Sequence, residues 1–373
     1  MTISRTTLKK IIAEELSRGK TKRPSLASIL FEDAEAILKK DPEEVARIEQ
    51  VLQKMPDPKE GPATMKAFLN GPGADPKVRA FLSAGEIDGA KVDEKIPYKD
   101  TGKRVGDLQP TQSEIEFMNS VSYPLTAPGA ITESRAGGVQ KIGPPENNRI
   151  ITCGNIIIDG HHRWSSFMST AGPDGQIAAY DLQITGKTAP ELLAIAQVAI
   201  AASAPIPVPD ATAGELNILG KSKDDIKKMI IDSFGKPNEK GKTILSDAVV
   251  ESIAIDDKLV KDANLDAGAV KKFLESNGKD KASKQKIGEG IADFMAGNLA
   301  QMKQPAQGSP PRIEMPQLDK ASGGVDTVLA MLDAGNVNFK PSFVDPNAVK
   351  KESVNSRDRM IMERWNKLAG LIK

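Results

Sequence analysis

The chain has only two histidines, and they are adjacent in the segment Asp159-Gly160-His161-His162-Arg163. This segment follows the apolar run Ile156–Ile158 and precedes residues with helical apolar spacing, which predicts a strand, a tight turn and the start of a helix. The first backbone N–H groups of a helix lack intrahelical acceptors and attract anions. The segment therefore places two imidazoles and a guanidinium at a predicted phosphate-binding corner.

Each residue of this segment has a predicted role. Asp159 is placed to cap the helix, and Gly160 permits a sharp bend and close approach of a ligand. Arg163 suits bidentate phosphate binding, and either imidazole could move a proton near neutral pH. Adjacent helical side chains diverge by about 100°, so the two histidines cannot act on one atom. The alternative is that Asp159 only caps, one histidine is a satisfied surface residue, and Arg163 pairs with a carboxylate.

Other chemistries fit the residues less well. Helical histidines chelate a metal best four positions apart, and the chain has a single cysteine, Cys153, so no protein zinc site is predicted. The surroundings of Cys153 favour a buried structural thiol. Mg²⁺ held mainly by substrate phosphates stays open. A catalytic triad of Ser165 or Ser166 with Asp159 is disfavoured because all three lie within one turn.

Composition limits the classes of function. Lysine and arginine (51) nearly balance aspartate and glutamate (50), so any contact with DNA must come from a local patch. The length of 373 residues favours two or three folded units. The first residues lack the apolar core of a signal peptide. The apolar stretch 192–208 is interrupted by prolines and predicts a buried helix rather than a membrane span.

These patterns predict an α+β protein, with a small mixed α/β domain flanked by mainly helical segments. The predicted divisions are a basic N-terminal helical segment (1–54), a Pro/Gly-rich linker (55–94), the α/β domain (95–205), a helical domain (206–302), and a flexible linker with C-terminal helices (303–373).

Within the α/β domain we expect alternating strands and helices. The predicted elements are a strand at 105–108, a helix at 111–120, a hairpin of 149–153 and 156–158 about Gly154-Asn155, a helix from His161, a strand at 177–184 and a helix from Ala189. Residues 26–54 are predicted to form one or two helices, with a break and a new start at Asp41-Pro42. Further helices are predicted at 65–69, 78–82, 224–234, 246–253, 267–275, 287–302, 325–332 and 357–372.

The segment 156–164, Ile-Ile-Ile-Asp-Gly-His-His-Arg-Trp, resembles the signature of the ParB/sulfiredoxin superfamily. The Asp-Gly-His-His-Arg form is most similar to the free-serine-kinase and ParB-like nuclease branches. Upstream, 105–112 is similar to the family's opening strand and Pro-x-Gln element. The tripeptide Tyr123-Pro124-Leu125 matches the start of a further strand. The resemblance covers about residues 95–205.

The resemblance implies a nucleotide, CTP or ATP/ADP with Mg²⁺, whose phosphates bind at the helix that begins with His161. It implies catalytic roles for His161, His162 and Arg163. The implied binding residues are Asp159, Gly160 and Gln112, with Glu133 and Arg135 as candidate contacts from a covering loop.

The chain also departs from parts of the family. Gln112 stands where serine kinases have a catalytic glutamate, as it does in partition proteins, although Glu114 or Glu116 could substitute. His161 occupies the position of the reactive cysteine of sulfiredoxin, which disfavours peroxiredoxin repair.

A second resemblance concerns the N-terminus. Residues 1–23 are basic with helical apolar spacing, and with Leu30-Phe31-Glu32 they are similar to the capsid-targeting leaders of tailed-phage head proteins, cleaved after Leu-x-Glu. Three hypotheses follow: a phage-encoded nucleotide-binding protein with nuclease or nucleotide-hydrolase activity, an inert packaged virion protein, or a small-molecule kinase of the serine type. Expected partners are a nucleotide, DNA or capsid proteins, without a membrane, in the host cytoplasm or the virion.

Overall fold

A computed structural model describes residues 42–83, 95–143, 148–203, 216–315 and 324–339. The predicted basic helix at 1–23, the leader cleavage site and the predicted helix at 357–372 lie outside these residues. The helices are α1 Pro42–Gln53, α2 Gly61–Asn70, α3 Pro76–Leu82, α4 Phe117–Thr126, α5 Ala130–Ser134, α6 His161–Ala171, α7 Ala189–Ser203, α8 Lys223–Ser233, α9 Asp247–Ala254, α10 Asp257–Asp262, α11 Ala267–Glu275, α12 Lys281–Leu299 and α13 Gly324–Ala334.

A small mixed sheet lies at the centre of the described chain. Its strands are β1 Tyr98–Arg104, β2 Val139–Gln140, β3 Ile150–Cys153, β4 Ile156–Asp159 and β5 Gln176–Leu182. The strand order is β1-β5-β3-β4, with β2 also paired to β5. β5 is antiparallel to β1 and parallel to β2 and β3, and β3 forms an antiparallel hairpin with β4. Helices and a small mixed sheet confirm the predicted α+β class.

Both faces of the sheet are buried over β3, β4 and much of β5, as the run of three isoleucines in β4 requires, whereas no residue of the edge strand β1 is buried. Neighbouring strand residues point to opposite faces, so Ile157 packs in one apolar core and Ile158 in the other. The same alternation separates Ile150 from Ile151 on β3. Each core then needs its own layer of helices.

The first core is covered by α4, α6 and the helices α8–α12, and the second by α1–α3, α7 and α13. Helix α6 is anchored in the first core by Trp164, which is fully buried and donates its indole N–H to the Val105 carbonyl at 2.9 Å. Helix α7 is buried around most of its circumference, which confirms the predicted buried helix. Among the described helices, none is both long and apolar enough to cross a membrane.

The structure departs from the predicted linker over its described residues 55–83. Helices α2 and α3 pack on α7, and Met65, Leu69 and Phe81 are buried in the second core. The prolines and aspartates of this stretch start helices: Pro62 and Pro76 lie in first turns, and Asp75 accepts a hydrogen bond from the Lys77 amide. Their composition is typical of helix starts as well as of linkers.

Three predicted elements at 105–125 were wrong. Residues 105–107 form a 3₁₀ turn after β1 rather than a strand. The helix predicted at 111–120 begins only at Phe117, because the Glu116 carboxylate caps it by accepting from the Met118 and Asn119 amides. The strand start expected at Tyr123-Pro124-Leu125 lies inside α4. In contrast, the predicted hairpin about Gly154-Asn155 and the predicted strand at 177–184 are present, as β3–β4 and β5.

The described part of the predicted flexible linker also packs against the protein. Residues 303–315, which we call the strap, follow α12 and run beside residues 107–113. The Ala306 amide donates to the Pro110 carbonyl, and the Ser113 amide donates to the Pro310 carbonyl, both at 2.9 Å. The strap ends at Met315, which is buried in the second core. It therefore crosses from one helical layer to the other.

If residues 55–83 belong to the core, Met65→Ala will destabilise the protein by ~2–5 kcal/mol, because it leaves a cavity at a fully buried position. Lys59→Ala, on the exposed surface of the same stretch, is the control and should change stability by less than about 0.5 kcal/mol. Urea unfolding followed by circular dichroism measures both. Equal stabilities of the two variants would mean that this stretch packs loosely.

Candidate anion-binding site

The candidate site lies where β4 ends and α6 begins. Gly160 connects the two elements in the left-handed conformation, with φ 91° and ψ 25°. A Cβ atom at this position would lie 2.6 Å from Ile150 Cγ2 and 2.9 Å from Arg163 Nη2. Both the backbone conformation and the space therefore require glycine. The predicted sharp bend at Gly160 is present.

His161 is buried and hydrogen-bonded as the first residue of α6. Its Nε2 accepts from the Thr111 backbone N–H at 3.1 Å, while the Thr111 hydroxyl donates to the Ile157 carbonyl at 2.6 Å. Burial lowers the pKa of His161 to about 3, and the nearby charges of His162, Arg312 and Arg163 act in the same direction. The imidazole is neutral at physiological pH and attaches the start of α6 to the segment beside β4.

His162 diverges from His161, as predicted, and contacts the strap. Its Nε2 lies 2.8 Å from Arg312 Nη1. A guanidinium can only donate, so the imidazole nitrogen is the acceptor. Burial lowers the pKa of His162 to about 4, and the charges of Arg312 and Arg163 lower it further. His162 is thus a neutral acceptor for a cation that lies 150 residues away in the sequence.

Arg163 pairs with a carboxylate, as the alternative interpretation of the sequence predicts. Its Nη2 lies 2.7 Å from Asp159 Oδ2, and its side chain is only 16% exposed. The prediction that Asp159 caps α6 was wrong: the cap position belongs to Gly160, and no side chain caps the helix. The left-handed turn leaves the Asp159 carboxylate beside the guanidinium one helical turn later.

The corner nevertheless has an excess of positive charge. Two guanidiniums, Arg163 and Arg312, face one carboxylate, Asp159, and both histidines are neutral. Among the described residues, no carboxylate lies within ion-pair distance of Arg312. In the same part of the chain, the backbone N–H groups of His161 and His162 have no acceptor. The site thus combines donors and a cation that an anion could neutralise.

Gln112 lies between two contacts of this corner. Its neighbour Thr111 bonds to His161, and its other neighbour Ser113 bonds to the strap. The Gln112 side chain is 4% exposed, and its Nε2 has no acceptor within the described ranges. A buried amide without a partner is costly, so the position of Gln112 suits a ligand oxygen or an ordered water.

Two other predicted contacts lie elsewhere. Arg135 contacts Asp262, stacks over the Phe294 ring at 5.1 Å and donates to the Thr170 carbonyl near the end of α6. At 1.5 Å per residue, that end lies about 14 Å from His161. Glu133 is exposed on the short helix α5. The structure therefore places neither residue over the corner, since the chain from 130 to 134 forms a helix instead of a covering loop.

The carboxylates near the corner do not form a site for a divalent cation. Asp159 is paired with Arg163, and both oxygens of Glu116 accept backbone N–H groups. Across the described ranges, no three histidine, cysteine or acidic side chains lie close enough to hold a metal. A magnesium ion would therefore need to arrive with the phosphates that bind it. The cap also occupies Glu116, one of the two substitutes considered for a kinase glutamate.

Asp159 also borders an apolar cavity of about 40 Å³. The other lining residues are aliphatic, and most belong to the second core, among them Ile158, Leu192, Ile195 and Leu329. Cys153 is also buried on this side, where its thiol donates to the Ile184 carbonyl at 3.1 Å, and burial raises its pKa. These observations agree with a structural rather than a reactive cysteine.

Two residues of the corner were missed in the sequence. Thr111 lies in the Pro-x-Gln element; its backbone N–H donates to His161 Nε2, and its hydroxyl lies 3.2 Å from the same nitrogen. Arg312 follows two prolines in a stretch whose composition favours a linker, and no local pattern connects it to the histidines. No family model matches the chain, and comparison with curated proteins and with solved structures gives no match.

We predict that Gly160→Ala destabilises the protein by about 1–3 kcal/mol, because alanine is strained at this φ and its Cβ would clash with Ile150. Gly154→Ala is the matched control, since Gly154 also has a positive φ (58°) but its Cβ would meet open space. Urea unfolding gives the loss of stability of each variant. The loss in Gly154→Ala reports backbone strain alone, and any additional loss in Gly160→Ala reports the clash with Ile150. Equal losses would show that Ile150 does not restrict the bend.

Stability should fall in weak acid because the two imidazoles resist protonation in the folded state. Their pKa values of about 3 and 4 lie below the ordinary 6.5, so the unfolded chain binds more protons between these limits. The free energy of unfolding therefore decreases as pH falls below 6.5, by roughly 2 kcal/mol per imidazole at pH 5.

Urea unfolding at pH 7 and pH 5 measures this loss. His161→Gln retains an acceptor for the Thr111 amide without a titrating group, so its stability should depend less on pH than that of the wild type. The same pH dependence in both proteins would contradict a neutral, buried His161.

Proposed function

We propose that the protein binds the phosphate groups of a nucleotide at the N-terminus of α6. The proposal rests on one observation: Arg312, which has no carboxylate partner among the described residues, lies against His162 beside the uncapped start of this helix. Phosphate oxygens would accept from the guanidinium and from the amides of His161 and His162. The similarity of residues 156–164 to ParB-like proteins suggests a nucleotide as the source of the phosphate.

The donors at this corner favour an anion over a neutral ligand. Helix N-termini carry a partial positive charge, and charge-assisted hydrogen bonds to phosphate are stronger than neutral ones. Arg163 would contribute its charge while Asp159 keeps its guanidinium in place. The net charge of Arg163, Arg312 and Asp159 is +1, which a bound phosphate would offset.

The histidines support binding rather than acid–base catalysis. With pKa values of about 3 and 4, His161 and His162 are neutral at pH 7, so neither holds the imidazolium proton that a general acid would donate. Their Nε2 atoms already accept hydrogen bonds from Thr111 and Arg312. Hydrolysis of a nucleotide or of DNA would therefore need a different group to activate water, and we propose binding as the primary function.

A second candidate is an inert packaged virion protein with the same fold. It is favoured by the internal contacts of the corner, since His161, His162 and Arg163 all bond to other residues of this chain. Mass spectrometry of purified particles would test it. Recovery in stoichiometric amounts, without residues 1–32, would support this function, and absence from particles would exclude it.

Thermal-shift titration with CTP, ATP, ADP and GTP, each with and without Mg²⁺, tests the proposed binding. A ligand at a hundred times its dissociation constant should stabilise the folded state by about 2.7 kcal/mol. Arg163→Gln should weaken the shift because it removes a positive charge from the corner. Arg104→Gln is the control, since Arg104 also pairs with a carboxylate, Asp174, but is the last residue of β1, outside the corner.

Two results would contradict nucleotide binding at the start of α6: no shift with any of the four nucleotides, or the same shift as in the wild type in both Arg163→Gln and Arg312→Gln. A duplex DNA oligonucleotide, titrated in parallel, distinguishes binding of a free nucleotide from binding of the DNA backbone.

A further inference from the structure

We propose that Arg312 is the principal phosphate ligand of this site and that His162 orients its guanidinium, so that the strap completes the site. This inference rests on the proposed function and adds to it a specific ligand residue and the segment that supplies it. It starts from the contact between His162 Nε2 and Arg312 Nη1 at 2.8 Å.

The contact uses only a small part of the guanidinium. Arginine carries five N–H donors in a planar fork, and His162 accepts one of them. One bond to a half-buried neutral acceptor restricts the orientation of the fork and leaves donors for a planar, bidentate contact with phosphate. Because a neutral imidazole adds no negative charge, Arg312 keeps its full attraction for an anion. An aspartate at position 162 would instead neutralise it.

Arg163 is less suited to be the principal ligand. Its Nη2 is bonded to Asp159, and the two charges largely cancel. An incoming phosphate would therefore meet a neutral pair at Arg163 and an uncompensated cation at Arg312. This difference reverses the order of importance that the sequence motif suggests, because the motif contains Arg163 and lacks Arg312.

The position of Arg312 depends on the strap, which is held by hydrogen bonds before and after this residue. Before Arg312, Lys303 Nζ donates to the Asp107 carbonyl at 2.7 Å, and the Gln109 side chain donates to the Gln304 carbonyl at 3.2 Å. After it, the Ile313 and Glu314 carbonyls accept from Lys66 Nζ at 3.1 Å and from Gln197 Nε2 at 3.2 Å.

These contacts come from the loop beside β4 and from the second helical layer, and His162 adds a contact from α6 in the first layer. A phosphate bound between α6 and Arg312 would add a further link, so binding should hold the strap more firmly against α6. Gln112, whose chain neighbours Thr111 and Ser113 contact α6 and the strap, is also buried.

Isothermal titration with sodium tripolyphosphate and with CTP tests the ligand role. We expect Arg312→Gln to weaken binding by about tenfold to a hundredfold, the loss of a charge-assisted hydrogen bond. Arg312→Lys should recover only part of the affinity, because lysine lacks the fork. Arg163→Gln should weaken binding less than Arg312→Gln, and Arg104→Gln should bind as the wild type does.

The orienting role of His162 has a separate readout. His162→Ala should weaken binding several-fold although it removes no charge, and His162→Gln should restore part of it, since its side-chain carbonyl can accept from Arg312. Thermal unfolding of each variant in buffer shows whether it is folded. A His162→Ala variant that is folded and binds as tightly as the wild type would overturn the orienting role.

Limited trypsin digestion tests the strap directly. Cleavage after Arg312 should slow in the presence of tripolyphosphate, whereas cleavage after Lys240, in an exposed turn, should keep its rate. Normal binding by Arg312→Gln, with loss of binding by Arg163→Gln, would overturn this inference and leave the proposed function intact. If neither tripolyphosphate nor any nucleotide binds the wild type, both proposals are wrong.

Discussion

Burial of the central sheet on both faces is the constraint on which the rest of the described structure depends. A sheet with two apolar faces needs two helical layers, and the chain links them through strands, as β5 does between α6 and α7, but also passes around the edge of the sheet. It does so next to β4, where the segment before α4, the start of α6 and the strap meet. The residues of the candidate site come together because each of these segments passes this edge.

The electrostatics of the corner follow from that burial. Desolvation is the largest cause of the low pKa of both histidines, so the imidazoles stay neutral although they resemble a catalytic pair in the sequence. Neutral histidines then serve as acceptors, one for a backbone amide and one for a guanidinium. The positive charge at the corner is therefore carried by the arginines, which stay protonated near neutral pH. The chemistry that this arrangement supports is recognition of an anion.

Much of the local structure could be predicted from the sequence because its signals are local. The hairpin about Gly154-Asn155, the bend at Gly160 and the starts of α6 and α7 follow from apolar runs, glycine and helical spacing. The linker at 55–83 was misread because proline and aspartate are typical both of loops and of helix starts. Asp159 was misread as a cap because Gly160 takes that position in its left-handed conformation.

Arg312 could not be found, since its contact with His162 depends on the path of the strap and not on any nearby residue. The family, nucleotide and phage assignments stay predictions.

The shared sheet also bears on how the molecule can be divided. Ile150 and Ile151 are neighbours on one strand yet belong to different cores. The sheet alone therefore separates the two cores. A fragment cut at 95–205 would keep the sheet but lose the helices that cover much of each face, and its exposed aliphatic strands would be prone to aggregate. The smallest unit that can be expressed in isolation is therefore larger than the motif-bearing segment. It includes the helical layers on both sides, so the chain should melt as a single cooperative unit rather than as separate modules.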